Sequence, residues 1–191
     1  IVVGTDYKMS VLAIELAEKY PKDIWATVGL HPNDVSVGFD KQKFLELSRD
    51  PKVVAIGECG LDYYRLDHES TRTLKHESIN LQKEVFKQQI EIAQELNKPL
   101  MIHARASRGT DDAYEDVYAM CHSSPDALVG ANSSGNPLQK IFHFYAGSLA
   151  ITKKLVADGC YFTFGGVITF SRDYDEQIKY IPMDRIMLET D

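Results

Sequence analysis

Four short apolar segments of this sequence are each followed by a side chain that can bind a metal ion: Glu58, His103, His143 and Asp191. Imidazole nitrogens and carboxylate oxygens are the ligands that Zn²⁺, Mn²⁺ and Mg²⁺ take in proteins. One carboxylate can also bridge two ions about 3.5–4 Å apart, the arrangement used in phosphoryl transfer. If the segments are parallel strands of one sheet, the pattern predicts a site for one or two divalent ions where their carboxyl ends meet.

Each of these residues also has a structural explanation. A single histidine after an apolar run is more often a hydrogen-bonded core residue than a ligand. Glu58 is harder to explain in that way, because a carboxylate between Gly57 and Cys59 in a buried segment needs a partner. The repetition at four segment ends therefore favours one shared site. Cys59 itself has no neighbour that marks a nucleophile, which predicts a packed thiol.

Four further residues near these segment ends are candidates for substrate contact: His31, Asp62, Tyr63 and Arg105. Arg105 follows His103 by two positions, and residues two apart on an extended backbone point to the same side. A guanidinium group there can form paired hydrogen bonds with a phosphate. Both Asp62 and Tyr63 also have a structural alternative: Asp62 can cap the following turn, and Tyr63 can be a packing residue.

The segments that must position these residues follow an alternating pattern. Seven short runs are rich in Val, Ile and aromatic residues without polar alternation, as in strands buried on both faces. They are Ile1–Gly4, Ile24–Leu30, Val53–Gly57, Pro99–Ile102, Ile141–Phe144, Tyr161–Gly165 and Arg185–Leu188. Amphipathic helical patterns lie between them, and Ser10, Asp40 and Ser148 precede three of these patterns. This alternation predicts an α/β fold with a parallel sheet, either open or closed into a barrel.

One long stretch carries neither pattern. Ser123–Pro137 is dominated by Ser, Asn, Gly and Pro, and it joins a predicted helix to the next strand. In a βα barrel such loops lie on the face away from the chemistry, so we expect a tolerated insertion and not a lid. No Gly-x-Gly-x-x-Gly follows a strand, which leaves a dinucleotide-binding fold without support.

Composition limits the function classes. With 191 residues, of which 44% are hydrophobic and 26% charged, the chain predicts one domain over residues 1–191. No run approaches about 18 consecutive apolar residues, so we expect no membrane-spanning segment. The net charge of −7 argues against a broad basic groove for nucleic acid, but metal ions can supply positive charge locally. Three cysteines are too few for a disulfide scaffold, which predicts a reducing compartment, the cytoplasm or the nucleus.

Five sequence elements resemble, in order, those of the TatD-type metal-dependent deoxyribonucleases. The segment from Ala55 to Tyr63, Ala-Ile-Gly-Glu-Cys-Gly-Leu-Asp-Tyr, resembles the signature of that family. The other four are Gly29-Leu30-His31-Pro32, His103-Ala104-Arg105, His143-Phe144-Tyr145-Ala146-Gly147 and Leu188-Glu189-Thr190-Asp191. Because they extend from residue 29 to residue 191, the resemblance covers essentially the whole chain.

This resemblance implies an amidohydrolase-like TIM (β/α)8 barrel that cleaves DNA phosphodiesters with one or two divalent ions. Glu58 would be a metal ligand and would bridge two ions where both bind. His103 and His143 would hold the second ion. Asp191 would bind the other ion and orient or deprotonate the attacking water. His31 and Arg105 would lie near the scissile phosphate, and the substrate would be single-stranded DNA ends, attacked from the 3′ side.

The resemblance also leads to an expectation about the chain ends. Many family members carry a His-x-His pair on their first strand, whereas this sequence has no histidine before His31. Its opening segment is similar to the family's second strand, and the family continues beyond the Glu-Thr-Asp element. We therefore expect this chain to contain strands two to eight of the barrel and to lack the first strand. We also expect the gene product to be longer than this sequence.

Two rival functions remain open. The first is a metal-dependent hydrolase on the same barrel that acts on another ester or an amide, because a fold does not determine a substrate. The second is a non-catalytic relic that uses the barrel for binding. Retention of all four predicted ligands speaks against the relic, and metal content separates the two possibilities.

Overall fold

A computed structural model describes residues 1–68, 72–122 and 138–190, and in these the predicted alternation of strands and helices is confirmed. The strands are β1 (Ala26–Val28), β2 (Val53–Asp62), β3 (Leu100–Arg105), β4 (Lys140–His143), β5 (Tyr161–Phe164) and β6 (Ile186–Leu188). They form one sheet in chain order, and every neighbouring pair is parallel. The predicted loop Ser123–Pro137 lies outside the described residues.

Helices connect successive strands. They are α1 (Tyr7–Lys19), α2 (Lys41–Ser48), α3 (Arg72–Leu96), α4 (Asp112–His122), α5 (Leu149–Ala157) and α6 (Asp175–Tyr180). The predicted caps Asp40 and Ser148 are confirmed, because each side chain accepts a backbone N–H of the first turn. The predicted start at Ser10 is wrong by one turn: Asp6 caps α1 through the Met9 N–H, at 2.7 Å. Among the described residues, no helix has the length and apolarity needed to cross a bilayer.

The first predicted strand is reduced to a single bridge. Val2 pairs in parallel with Ala26, and its backbone exchanges hydrogen bonds with Trp25 and Thr27. The same segment continues along the sheet through Gly4, whose carbonyl accepts the Glu58 N–H at 2.8 Å. Residues 1–5 therefore extend the sheet beyond β1, although only Val2 has regular pairing.

The sheet is curled. Its inner face surrounds a cavity of about 360 Å³, to which the opening segment and each strand contribute a side chain. These side chains are Val3, Thr27, Ala55, Met101, Ile141, Thr163 and Met187. Because residues from both edges of the sheet line one space, the architecture is that of a half-barrel with helices outside. The eight-stranded barrel stays a prediction.

The described residues include a buried ion pair at the amino-terminal end of β4. Lys140 is 5% exposed, and its Nζ lies 2.8 Å from Asp158 Oδ2. His122 Nε2 lies 2.9 Å from the other oxygen of Asp158. Burial raises the pKa of Asp158, but the bonds to Lys140 and His122 outweigh it and give a net lowering from 3.8. The carboxylate therefore stabilises the folded chain at neutral pH.

We expect Asp158→Asn to destabilise the chain by about 2 kcal/mol near neutral pH, because the Lys140 ammonium stays buried without a counter-charge. A carboxyl with a lowered folded-state pKa stabilises the fold above its unfolded value and loses that effect as the pH falls through its folded value. The difference in the free energy of unfolding between wild type and variant should therefore be largest at pH values well above 3.8, and it should shrink in acid. Urea denaturation across this range measures it, with the exposed Asp23→Asn as control. A difference that does not change with pH would contradict the ion-pair explanation.

Candidate metal centre

Glu58, His31 and His103 converge at the carboxyl end of the sheet. The Nδ1 atom of His103 lies 3.0 Å from Glu58 Oε1, and His31 Nε2 lies 3.7 Å from the same oxygen. One ligand atom from each of the three residues lies within 4.8 Å of the others. A buried carboxylate with two imidazoles is a donor set that fits Zn²⁺ or Mn²⁺, so these residues suit a divalent ion.

β2 brings Glu58 into this position because it is longer than predicted. The strand continues through Gly57 to Asp62, so Glu58 lies within the strand and not after it. Gly60 is the register partner of His103 and has a φ of +138°. A Cβ atom on Gly60 would lie 2.0 Å from the carbonyl oxygen of His103. The close approach of β2 to β3 at the site therefore requires glycine at this position.

His31 is oriented by its own local backbone. It caps a short 3₁₀ helix, Pro32–Val37, and its Nδ1 accepts the Asn33 N–H at 3.1 Å. Because Nδ1 accepts a hydrogen bond from the backbone, Nε2 is the atom that points toward Glu58. The backbone before it is held by Gln89, whose side-chain amide bonds both the N–H and the carbonyl of Leu30.

Asp62 is held in the same way by a second glutamine of α3. The Gln82 amide bonds both the N–H and the carbonyl of Asp62, at 2.9 and 3.2 Å. The Asp62 side chain is 1% exposed, and its Oδ2 lies 3.3 Å from His103 Nε2. Its Oδ1 accepts the Arg65 N–H at 3.1 Å. Asp62 thus caps the turn, as the alternative interpretation predicted, and also orients His103.

His103 lies between two carboxylates, those of Glu58 and Asp62. Burial lowers its pKa, but the hydrogen bonds with Asp62 and Glu58 outweigh burial and raise the pKa overall. Burial raises the pKa of Glu58, and the bond to His103 reverses the sign to a net lowering. Burial, followed by the charge of His103, lowers the pKa of His31. A metal ion at this cluster would compete with a proton for His103, because a histidine binds a metal in its neutral form.

His143 lies on the neighbouring strand, directly opposite His103 in the β3–β4 register. Its Nδ1 contacts Glu189 Oε2, and this oxygen also accepts the Thr163 hydroxyl at 2.6 Å. Such a carboxylate partner fixes the ring orientation of a ligand histidine and leaves Nε2 for the site. Asp191, the fourth predicted ligand, lies outside the described residues. Glu189 was not predicted as a positioning residue, although the Glu-Thr-Asp element contains it.

The predicted substrate residues fall into two groups. His31, Asp62 and Arg105 line a cavity of about 640 Å³ together with Glu58, His103 and His143. Tyr63 does not contribute to that lining, because its side chain is buried and its hydroxyl donates to Asp116 at 2.8 Å. The tyrosine that contacts Arg105 is Tyr64, whose ring centroid lies 4.1 Å from the guanidinium carbon.

Comparison with known proteins places these features in context. A family model described as "TatD related DNase" matches residues 1–191. The uncharacterized metal-dependent hydrolase YabD of Bacillus subtilis is 36% identical over 195 residues, covering 100% of this chain and 67% of that protein. The 3′-5′ ssDNA/RNA exonuclease TatD of Escherichia coli K12 is 30% identical over 196 residues, and this match covers 100% of this chain and 66% of that protein.

The structure of the TatD homologue YjjV from Escherichia coli K12 matches with a TM-score of 0.73 and 25% identity. The match covers 99% of this chain and 65% of that one. The chain thus spans about two thirds of the length of the relatives that it matches.

Proposed function

Because this chain belongs to the family of TatD-related DNases, whose members include metal-dependent hydrolases, we propose that it hydrolyses phosphodiester bonds in single-stranded DNA from the 3′ end. The observation that carries the proposal is the convergence of His31, Glu58 and His103 in a cavity that Arg105 also lines. That cavity offers ligands for a divalent ion and a guanidinium for a phosphate in one place.

Glu58, His103, His143 and Asp191 are the proposed ligands of one or two ions, and His31 lies close enough to join them. A divalent ion in this site supplies Lewis acidity toward a phosphoryl oxygen and toward water. Magnesium, manganese and zinc all remain candidates for this ion.

The chain's own groups have separate tasks in this mechanism. Arg105 donates hydrogen bonds to the phosphate and stabilises the negative charge that grows in the transition state. Asp62 holds His103 through its Nε2 atom, so that Nδ1 faces Glu58. Asp191 is the proposed group that orients the attacking water or accepts its proton.

A single-stranded end suits the charge of this protein. With a net charge of −7, the chain is a poor partner for a duplex that needs a long basic surface. A strand end requires only a few local phosphate contacts and stacking surfaces. The name of the Escherichia coli relative, a 3′-5′ exonuclease of single-stranded DNA and RNA, supports the same polarity.

Cleavage of end-labelled DNA tests the proposal. Single-stranded oligonucleotides labelled at the 5′ or the 3′ end are incubated with the protein and Mg²⁺ or Mn²⁺, with EDTA as control. We expect the 3′ label to be released first as a mononucleotide and the 5′-labelled strand to shorten stepwise. Internal cuts from the first time point would contradict the exonuclease. If the folded, metal-loaded protein cuts neither labelled oligonucleotide, the result favours another ester or an amide as substrate. If the folded protein cuts neither and binds no metal, the result favours a non-catalytic relic.

A further inference from the structure

We propose that Tyr64 and Arg108 form a subsite for a second phosphate beside Arg105, so that the site prefers a polynucleotide to a single phosphodiester. This inference rests on the proposed function and names the substrate class of the same site. One aromatic ring carries two guanidinium groups here: the carbons of Arg105 and Arg108 lie 4.1 and 5.3 Å from the Tyr64 centroid. Arg108 Nη2 also donates to the Tyr64 hydroxyl at 3.2 Å.

Two backbone connections bring the ring under Arg105. The carbonyl of Arg105 accepts the N–H of Tyr63 at 2.8 Å and that of Tyr64 at 3.4 Å. The segment after β2 is therefore tied to the end of β3, where Arg105 is the register partner of Asp62. Consequently the ring of Tyr64 is placed by main-chain bonds and not by the side-chain contact alone.

Arg108 is presented by a tight turn. The Thr110 N–H donates to the Ser107 carbonyl at 3.1 Å, and Gly109 supplies the positive φ of +72° that the turn requires. Asp112 Oδ1 anchors the turn by accepting the Ser107 N–H at 2.9 Å. Arg108 thus occupies a defined, exposed position against the Tyr64 ring, which also contacts the cavity-lining Arg105.

The chemistry of this group fits a strand of nucleic acid. Guanidinium groups form paired hydrogen bonds with phosphate oxygens, and an aromatic ring offers a stacking surface that accepts any base. Arg65 and Arg105 both line the cavity, and Arg108 shares the Tyr64 ring with Arg105, in a chain whose net charge is −7. A substrate with a single phosphate occupies Arg105 alone, whereas a polynucleotide can also engage Arg108.

The test compares two substrates of the metal-loaded protein. One is a six-nucleotide single-stranded oligothymidylate, and the other is bis(4-nitrophenyl) phosphate, which contains one phosphodiester. We expect Arg108→Gln to lower kcat/KM on the oligonucleotide about tenfold more than on the small ester, mainly through KM. The slope of log KM against log salt concentration should fall by about 0.7, the value for one phosphate contact on a single strand.

Two further variants make the test specific. Tyr64→Phe keeps the ring but removes the hydroxyl that receives Arg108, and it should give a smaller loss, about threefold, on the same substrate. Arg49→Gln is the matched control, because Arg49 is exposed at the end of α2 and pairs with Glu95. It should leave both substrates and the salt slope unchanged. Thermal melting of each variant shows whether the fold is intact.

The outcomes separate the subsite from the proposed function. If the wild type cleaves the oligonucleotide but Arg108→Gln affects both substrates equally, or neither, the subsite is wrong and the nuclease stands. A salt slope that stays unchanged in Arg108→Gln would also overturn the subsite. If the wild type cleaves the small ester and not the oligonucleotide, the proposed nuclease function is wrong, and the proposed subsite is wrong as well.

Discussion

Replacing Glu58 by glutamine should reduce hydrolysis at least about 10³-fold and remove most of the bound metal. Glu58 is 9% exposed, and its Oε1 lies between the rings of His31 and His103. An amide has nearly the same shape but no charge, so the site loses its central anionic ligand. It also leaves His103 with one carboxylate partner in place of two. Initial rates on single-stranded DNA and metal content by elemental analysis measure the two effects.

The matched control is Glu84→Gln, an exposed glutamate of α3 whose Oε1 accepts a hydrogen bond from Gln88 Nε2 at 3.4 Å. It should retain both metal and activity. A Glu58→Gln protein that loses activity but keeps its metal would contradict the ligand role. One that keeps full activity would contradict the location of the site. Thermal melting distinguishes both results from a failure to fold.

The second large effect is expected at a residue without a side chain. Gly60→Ala should lower the free energy of unfolding by about 3–5 kcal/mol and weaken metal binding. The new Cβ atom would lie 2.0 Å from the carbonyl oxygen of His103, and the φ of +138° is one that alanine rarely adopts. Relief of this clash requires β2 and β3 to separate at the point where Glu58 meets His103. Urea denaturation and metal titration follow the two consequences.

Gly166→Ala provides the comparison for this substitution. A Cβ atom on Gly166 would meet no atom within 4 Å, and its φ is not in the positive region. We therefore expect a change of less than about 0.5 kcal/mol and unaltered metal affinity. Equal effects of the two substitutions would show that the contact between Gly60 and His103 does not hold the strands in place.

The strand ends could be predicted from the sequence because unbroken apolar runs mark strands buried on both faces. That reasoning placed Glu58 and His103 at one edge of the sheet, where the structure brings them within 3.0 Å. The length of β2 was missed, because Gly57 and Gly60 are ordinarily signs of a strand ending. Here glycine instead allows two strands to approach each other closely, and this depends on a neighbouring strand that a local pattern does not reveal.

The directions of the side chains that follow the end of β2 also could not be predicted from the sequence pattern. Tyr63 and Tyr64 are adjacent and chemically similar, but the ring of Tyr64 packs on the Arg105 guanidinium, whereas the hydroxyl of the buried Tyr63 donates to Asp116. The backbone N–H groups of both tyrosines bond the carbonyl of Arg105, so the difference lies in the directions of their side chains, which depend on tertiary structure. His31 is a second example: it was predicted as a substrate contact, whereas its Nε2 lies 3.7 Å from Glu58 Oε1, among the possible metal ligands.

The two buried glutamines of α3 have a consequence for how this chain tolerates insertions. Gln82 and Gln89 are seven residues apart, which is about two helical turns or roughly 10 Å along the axis. Each amide bonds the backbone next to one half of the site, Asp62 in one case and Leu30 in the other. One residue inserted between them would rotate one amide about 100° away from its backbone partner. The number of residues from 82 to 89 is therefore fixed by the two halves of the site, because each amide must stay in register with its backbone partner.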